Sequence, residues 1–260
     1  MERIYEDVFQ DAFDLEDHCR ILAVPRSKGS LHITVSEAGH KEIDLEVMES
    51  TQLHLFIHNK ADGKVVLHMK GKIMAGASAR IALLDLEDQP FEFDQHIDLK
   101  EEGASIDNST AQLVKSAFKK GNIEIRHEKA HTSGHMHNFA VLFDHAKYEM
   151  VANGNILKGA FDSASHQETR VLTLGKDHET KVIPLLLIDE NDVKASHALT
   201  IGEPDENQLY YLQSRGLSKE TALGLLSVGY FMPVIRQIEN EDLREQLREE
   251  MERKVGIYGH

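Results

Sequence analysis

Twelve short segments in which apolar and polar residues alternate follow one another through the middle of this chain, at roughly ten-residue spacing. They are LHITV (31–35), EIDLEV (42–47), LHLFI (53–57), KVVLHM (64–69), RIALLDL (80–86), FEFDQHIDL (91–99), NIEIRH (122–127), HMHNFAVLF (135–143), KYEMV (147–151), TRVLTL (169–174), KVIPLLLI (181–188) and DVKASHAL (192–199). Alternation places one set of side chains on an inner face and the other on an outer face. Turn signals punctuate the series at Asp62–Gly63, Gly71, Gly103, Gly121, Asn153–Gly154–Asn155 and Gly175. Such a series folds into a sandwich, a barrel or a coiled solenoid, and periodicity does not choose among them. No clean sequence repeat forces a solenoid. Val114 to Phe118 reads as a short helix between strands.

The two ends differ from the middle. Residues 1–20 read as a short amphipathic helix, with Val8, Ala12 and Leu15 near helical spacing among acids. The expected organisation is therefore a helical N-terminal segment over 1–29, a mainly β body over 30–200 and a helical C-terminal segment over 201–260. In the last, Pro204 suits a first helical turn, Leu209, Tyr211 and Leu212 form a stripe, and Gly216 suits a left-handed cap. Ser218 is an N-cap, with Leu217 and Ala222 stapling the next helix. Ala222, Leu225, Leu226 and Gly229 are its expected packing face. The last helix, Glu241 to Lys254, carries a narrow stripe of Leu243, Leu247 and Met251, with Glu249–Arg253 and Glu250–Lys254 as i,i+4 pairs.

Composition narrows the classes of function. At 260 residues the chain buries a large core. Its net charge of −15 disfavours nucleic acid and anionic lipid. No run of eighteen apolar residues marks a membrane span, and the acidic start lacks a secretory core. One cysteine, Cys19, suits a reducing cytoplasm and excludes a thiol-rich cluster cage. Cys19 is read as a packing residue of the first helix, with a mobile thiolate as the functional alternative. The chain has no P-loop, G-x-G-x-x-G, G-x-S-x-G, C-x-x-C or H-E-x-x-H motif.

Sixteen histidines are present, and His127, His131, His135, His137 and His145 lie close together. On a strand, His135 and His137 share a face about 7 Å apart, close enough to converge on one metal. Val141 stands where a cupin-type site would carry its glutamate. These two histidines support an alternative reading, a stand-alone all-β metalloenzyme.

The stretch from Val193 to Leu217, VKASHALTIGEPDENQLYYLQSRGL, carries a Ser-His pair at a strand end, a Gly turn and then D-E-x-Q-L-x-Y-L-x-S-R-G-L. In this order it resembles the C-terminal signature of the SufB/SufD family of iron–sulfur cluster assembly scaffolds. The resemblance is firm from about Gly134 to Gly229, and the chain resembles a short, single-gene form. It implies a mainly β fold, a right-handed parallel β-helix (solenoid) with a short N-terminal helix and a C-terminal α-helical segment. It also implies a SufC-like ATPase partner, a homodimer and a transient iron–sulfur cluster. His197 is then the expected cluster or iron ligand at the dimer interface. The family's upstream cysteine has no counterpart near Thr169, where Gln167, Glu168 and Arg170 stand, so His166 and Glu168 are the expected additional ligands. The resemblance assigns ATPase docking to Glu203, Asp205, Gln208, Tyr211, Arg215, Gly216 and Leu217. A further alternative is a family member that binds the ATPase but no cluster.

Overall fold

The structure, a computed structural model, describes residues 1–238 and 240–256. Among these residues the chain forms sixteen strands and three helices. The strands are β1 (Glu2–Tyr5), β2 (Val8–Asp14), β3 (His18–Ala23), β4 (Lys28–Val35), β5 (Gly39–Val47), β6 (Gln52–Asn59), β7 (Val65–Ile73) and β8 (Ser78–Asp85). They continue as β9 (Phe91–Leu99), β10 (Ser105–Val114), β11 (Phe118–His127), β12 (Ser133–Leu142), β13 (Lys147–Ile156), β14 (Ser163–Thr173), β15 (Glu179–Ile188) and β16 (Val193–Gly202). The helices are α1 (Glu206–Ser214), α2 (Lys219–Ile235) and α3 (Glu241–Lys254).

Odd-numbered strands form one eight-stranded sheet and even-numbered strands the other, each in sequence order. Every pairing is parallel. Each coil thus contributes one strand to each sheet, and the chain is a two-sheet solenoid. The coil lengthens along the chain. Glu2 pairs with Arg20, Lys28 with Gln52, Ser105 with Ser133 and Ser133 with Ala164, so successive rungs lie 18, 24, 28 and 31 residues apart. A drifting period leaves no fixed repeat in the sequence.

A second device replaces the repeat. At one corner Arg26, Ser50, Gly76, Gly103, His131 and Asp162 all adopt positive φ, between 51° and 73°. Adjacent coils bond there through the backbone, as in Arg26 N–H to Glu49 O, Ser50 N–H to Ala75 O and His131 N–H to Phe161 O. Glycine fills this left-handed position in only two coils, so the corner is invisible as a glycine motif.

The interior between the sheets is aliphatic in the early coils, with Cys19, Ile21, Ile33, Ile57 and Leu83 buried. It turns polar farther along. In register with Ile57 and Leu83 come Thr110, Asn138 and Thr169. Thr110 Oγ1 donates to Asn138 Oδ1 at 2.9 Å, and Asn138 Nδ2 donates to Thr169 Oγ1 at 3.3 Å. The two sheets are also tied by a fully buried ion pair, Lys119 Nζ to Asp85 Oδ2 at 2.8 Å. Burial pushes the Asp85 carboxyl up and the Lys119 ammonium down, and their mutual attraction opposes both shifts.

Several expectations are corrected. The N-terminus is not helical: residues 1–23 supply β1, β2 and β3, because Val8 to Asp14 alternates and pairs with β4. Cys19 sits in the core on β3, where burial pushes its thiol up, so it is no mobile thiolate. Val114 to Phe118 is a bend joining β10 and β11 rather than a helix. Gly71, Gly121 and Gly154 lie within strands. A Cβ at Gly71 would stand 2.4 Å from Ile97 Cδ1, so close interior packing, not a turn, explains that glycine.

Helices α2 and α3 pack on the outer face of the even-numbered sheet. Val228, Phe231, Val234 and Ile235 of α2 bury against Leu84, Ala111, Leu113, Phe139, Val141 and Leu172. The packing face of α2 includes Ala222 but is rotated from the expected one, leaving Leu225 and Gly229 exposed. Leu247 and Met251 bury the expected stripe of α3, while Leu243 is partly buried. The partners of the expected Glu250–Lys254 pair turn to the body instead: Glu250 lies 3.5 Å from Lys60, and Lys254 lies 2.5 Å from Glu87. Among the described residues, no helix is long and apolar enough to cross a membrane.

Candidate functional site

The last coil leaves its strands uncovered. β15 and β16 each have a strand neighbour on one side only. Their apolar residues Leu185, Leu187, Leu199 and Ile201 are exposed, Leu187 by 50% and Ile201 by 43%. Unpaired backbone edges with apolar side chains are poised to pair with another chain. Pro184 interrupts the donor row of β15, as expected of an edge strand.

His197 lies in this end region. It pairs in register with Gln167, which is buried between the sheets and donates from Nε2 to Leu185 O at 2.7 Å. Paired residues of parallel strands project to the same face, so His197 belongs to the inner face, left open where no further coil follows. It is exposed.

His166 and Glu168 belong to the other face. There two rungs run side by side: Asp107, His135, His166 and Ser196 in one, and Ser109, His137, Glu168 and Ala198 in the next. His135 and His166 rings lie 5.2 Å apart, and His135 and His137 stack at 6.3 Å. His137 Nδ1 lies 3.4 Å from Glu168, whose carboxylate also holds Arg170 at 2.6 Å. Burial, then the neighbouring His166, pushes the His135 imidazole down towards its neutral form. The structure therefore brings together His135, His137, His166 and Glu168 and separates them from His197. Stacked rings do not aim their lone pairs at a common point. Among the described residues no group of three or more His, Cys, Asp or Glu side chains is arranged to hold a metal ion.

The third element is the helical hairpin. Asp205 caps α1, accepting from Asn207 and Gln208 N–H, so Pro204 precedes the cap instead of opening the first turn. Gly216 takes φ of 91° beyond α1, and Ser218 caps α2 by accepting from Thr221 N–H at 3.1 Å. Arg215 lies over the Tyr211 ring at 5.3 Å. No residue of α1 is buried, and Tyr210, Tyr211 and Leu225 are exposed by 75%, 56% and 40%. Asn207, Gln208, Tyr211, Leu212 and Leu226 line a shallow groove between the two helices. Gln208, Tyr211, Arg215 and Gly216 thus lie together on this hairpin, with Leu217 in its turn and Glu203 just before it. Sequence reasoning missed Tyr210 and the outward Leu225. Only the crowding of apolar residues across 222–231 hinted that some must face out.

The family description "SUF system FeS cluster assembly, SufBD core domain" matches residues 19–230. The chain is 39% identical over 153 residues to the iron-sulfur cluster assembly protein SufD of Bacillus subtilis (strain 168), covering 59% of this chain and 32% of that protein. It is 28% identical over 142 residues to the iron-sulfur cluster assembly protein SufD of Escherichia coli (strain K12), covering 54% and 33%. It is 34% identical over 106 residues to the chloroplastic protein ABCI7 of Arabidopsis thaliana, covering 40% and 22%. The chain spans a third or less of the length of these relatives. With the match extending over most of its solenoid and into α2, the chain belongs to the SufBD core-domain family of the SUF system for iron–sulfur cluster assembly.

Proposed function

We propose that the chain acts as a non-enzymatic scaffold for iron–sulfur cluster assembly in the cytoplasm, driven by a SufC-like ATPase that docks on α1 and the exposed side of α2. The observation that carries this reading is the hairpin, where α1 buries no residue and presents Tyr210 and Tyr211 to solvent. Exposed aromatics beside a shallow groove are typical anchors for a partner. The chain has no P-loop, so a nucleotide cycle would be imposed from outside, shifting the population of scaffold conformations.

In this reading two copies pair through β15 and β16. A two-fold axis sets one patch against its own copy and doubles every ligand near the axis. Neutral imidazole is a competent iron ligand, and His197 of each copy would present it to the cargo, iron or a nascent cluster. One chain offers His197 no second ligand from His166 or Glu168, which face the other way. In this reading the second copy supplies the further ligand, its own His197.

The test uses the full chain, since truncation before α2 would strip the cover from Leu84, Ala111 and Phe139. Tyr211→Glu alters an exposed residue and leaves the fold intact, as checked by circular dichroism. Calorimetric titration with a SufC-like ATPase is expected to show at least about tenfold weaker binding for this variant. Unchanged affinity would remove the hairpin as the docking face, and no binding by the parent chain would remove the ATPase partnership.

A further inference from the structure

Beside the helices, β2, β4, β6 and β8 together with Gln237, Ile238 and Asn240 enclose a cleft of about 290 Å³, in which the carboxylate of Asp11 is already held by Arg3 at 2.9 Å and Tyr5 at 2.7 Å. Its floor follows from register: His32, Phe56 and Ala82 lie in one rung, and Ser30, His54 and Arg80 in the next. Gln237, Ile238 and Leu243 form the opposite wall. None of these groups takes part in the scaffold reading above.

Three features of the cleft point to a ligand. Phe56 and His32 form an aromatic floor, their rings 5.0 Å apart, and Phe56 is buried. Arg80 is exposed and makes no hydrogen bond or ion pair with any described residue. Its register neighbour Asp107 is turned towards His137, at 3.9 Å. Two polar atoms of the lining, His32 Nε2 in the floor and Gln237 Oε1 in the opposite wall, are buried without a hydrogen-bond partner. The Gln237 amide is held in place from its other side, where Nε2 donates to Ser109 Oγ at 2.7 Å. Orphaned buried polar atoms are costly and uncommon, and a bound molecule would satisfy them.

Each feature specifies part of the ligand. A free guanidinium on a chain of net charge −15 selects an anion, best a carboxylate that accepts two parallel N–H bonds. The Phe56 and His32 rings suit an aromatic ring packed against them. Gln237 Oε1 can only accept, so it calls for an O–H or N–H on the ligand. The volume, at the low end for ligand sites, limits it to one or two rings. Glu241 and Asp242 on the rim lie in the first turn of α3, where the helix N-terminus offsets part of their charge. We propose that this cleft binds a small aromatic acid that carries a second, hydrogen-bond-donating group.

The probe is 4-hydroxybenzoate, with 4-hydroxybenzyl alcohol as the neutral comparator. Saturation-transfer and amide-shift titrations of the full chain are expected to give a dissociation constant for the acid of about 1 mM. The alcohol is expected to bind at least about tenfold more weakly, and Arg80→Gln to weaken the acid by a similar factor while leaving the alcohol unchanged. Phe56→Leu, checked for fold by its amide spectrum, is expected to weaken both molecules. No saturation transfer to the acid at about 20 mM, about twentyfold above that constant, would overturn the proposal. So would equal binding of acid and alcohol, or an Arg80→Gln variant that binds the acid as the parent does.

Discussion

His166 Nδ1 lies 2.7 Å from Ser196 Oγ across the outer face of β14 and β16, and strand alternation places His197, the next residue, on the inner face. The two histidines therefore answer to different environments. His197→Ala is expected to lower cluster loading at least about twofold after anaerobic reconstitution with iron and sulfide, read from visible absorption, in a dimer shown intact by light scattering. His166→Ala is expected to leave loading unchanged. Equal loss in both variants would mean that loading does not depend on which face the imidazole occupies.

The apolar end of the solenoid gives a second expectation. Leu187 and Ile201 sit on the two uncovered edge strands and are each about half exposed in one chain. Leu187→Lys and Ile201→Lys should each cost the single chain no more than about 0.5 kcal/mol, because neither side chain is buried in it. The same charges would have to be desolvated in a pair of chains. Light scattering at micromolar concentration should then show the parent as a dimer and the doubly substituted chain as a monomer. A parent that is already monomeric would refute the pairing.

Much of this architecture was legible in the residues, and the failures have identifiable causes. Alternation located twelve of the strands, most plainly where apolar inner positions stand between polar outer ones, as with Leu31, Ile33 and Val35 in β4 and Phe91, Phe93, Ile97 and Leu99 in β9. β10 escaped because its inner positions Asn108, Thr110 and Gln112 are polar while its outer Ala111 and Leu113 lie under α2, which inverts the pattern. The N-terminal strands escaped because Val8, Ala12 and Leu15 also fit a helical period over a short window. The solenoid itself was legible only through family resemblance, since its coils lengthen and its left-handed corner accepts Arg26, Ser50 and His131 as readily as Gly76. For the site, His197 and the hairpin residues were named from the signature. Nothing in it tells that His166 and His197 face apart, which follows from strand parity once β14 and β16 are paired.

The buried pair between Lys119 and Asp85 bridges the two sheets where neither side chain meets solvent. Lys119→Met would strand the Asp85 carboxylate, leaving it Asn59 Nδ2 at 3.1 Å and Glu87 N–H at 3.2 Å. Removing one partner of such a pair typically costs about 3–5 kcal/mol. Denaturant unfolding should show a loss near the lower end of that range, because two donors remain. Lys119→Met combined with Asp85→Asn, which removes both charges, should recover part of the loss. A single variant as stable as the parent would show that the pair contributes nothing net.

His127 supplies the pH dependence. It is fully buried on β11, its Nδ1 2.8 Å from Thr132 Oγ1, and burial followed by the neighbouring His135 lowers its pKa to about 4. Unfolded, a histidine titrates near 6.5. The native state thus holds His127 neutral where the unfolded chain binds a proton, so its contribution is complete above pH 6.5 and is lost as pH falls towards 4. At pH 5 the loss from this one group is about 2 kcal/mol. His58, lowered to about 3 chiefly by burial and then by Lys60, acts in the same direction, although Glu250 at 3.7 Å would offset part of it by favouring the protonated ring. His127→Gln removes the titration at the cost of the Thr132 contact, about 1 kcal/mol at pH 8. Urea unfolding at pH 8 and pH 5 should therefore show the variant less stable than the parent at the higher pH and equal or more stable at the lower. Parallel stability curves across that range would mean that His127 is protonated alike in the folded and unfolded chain.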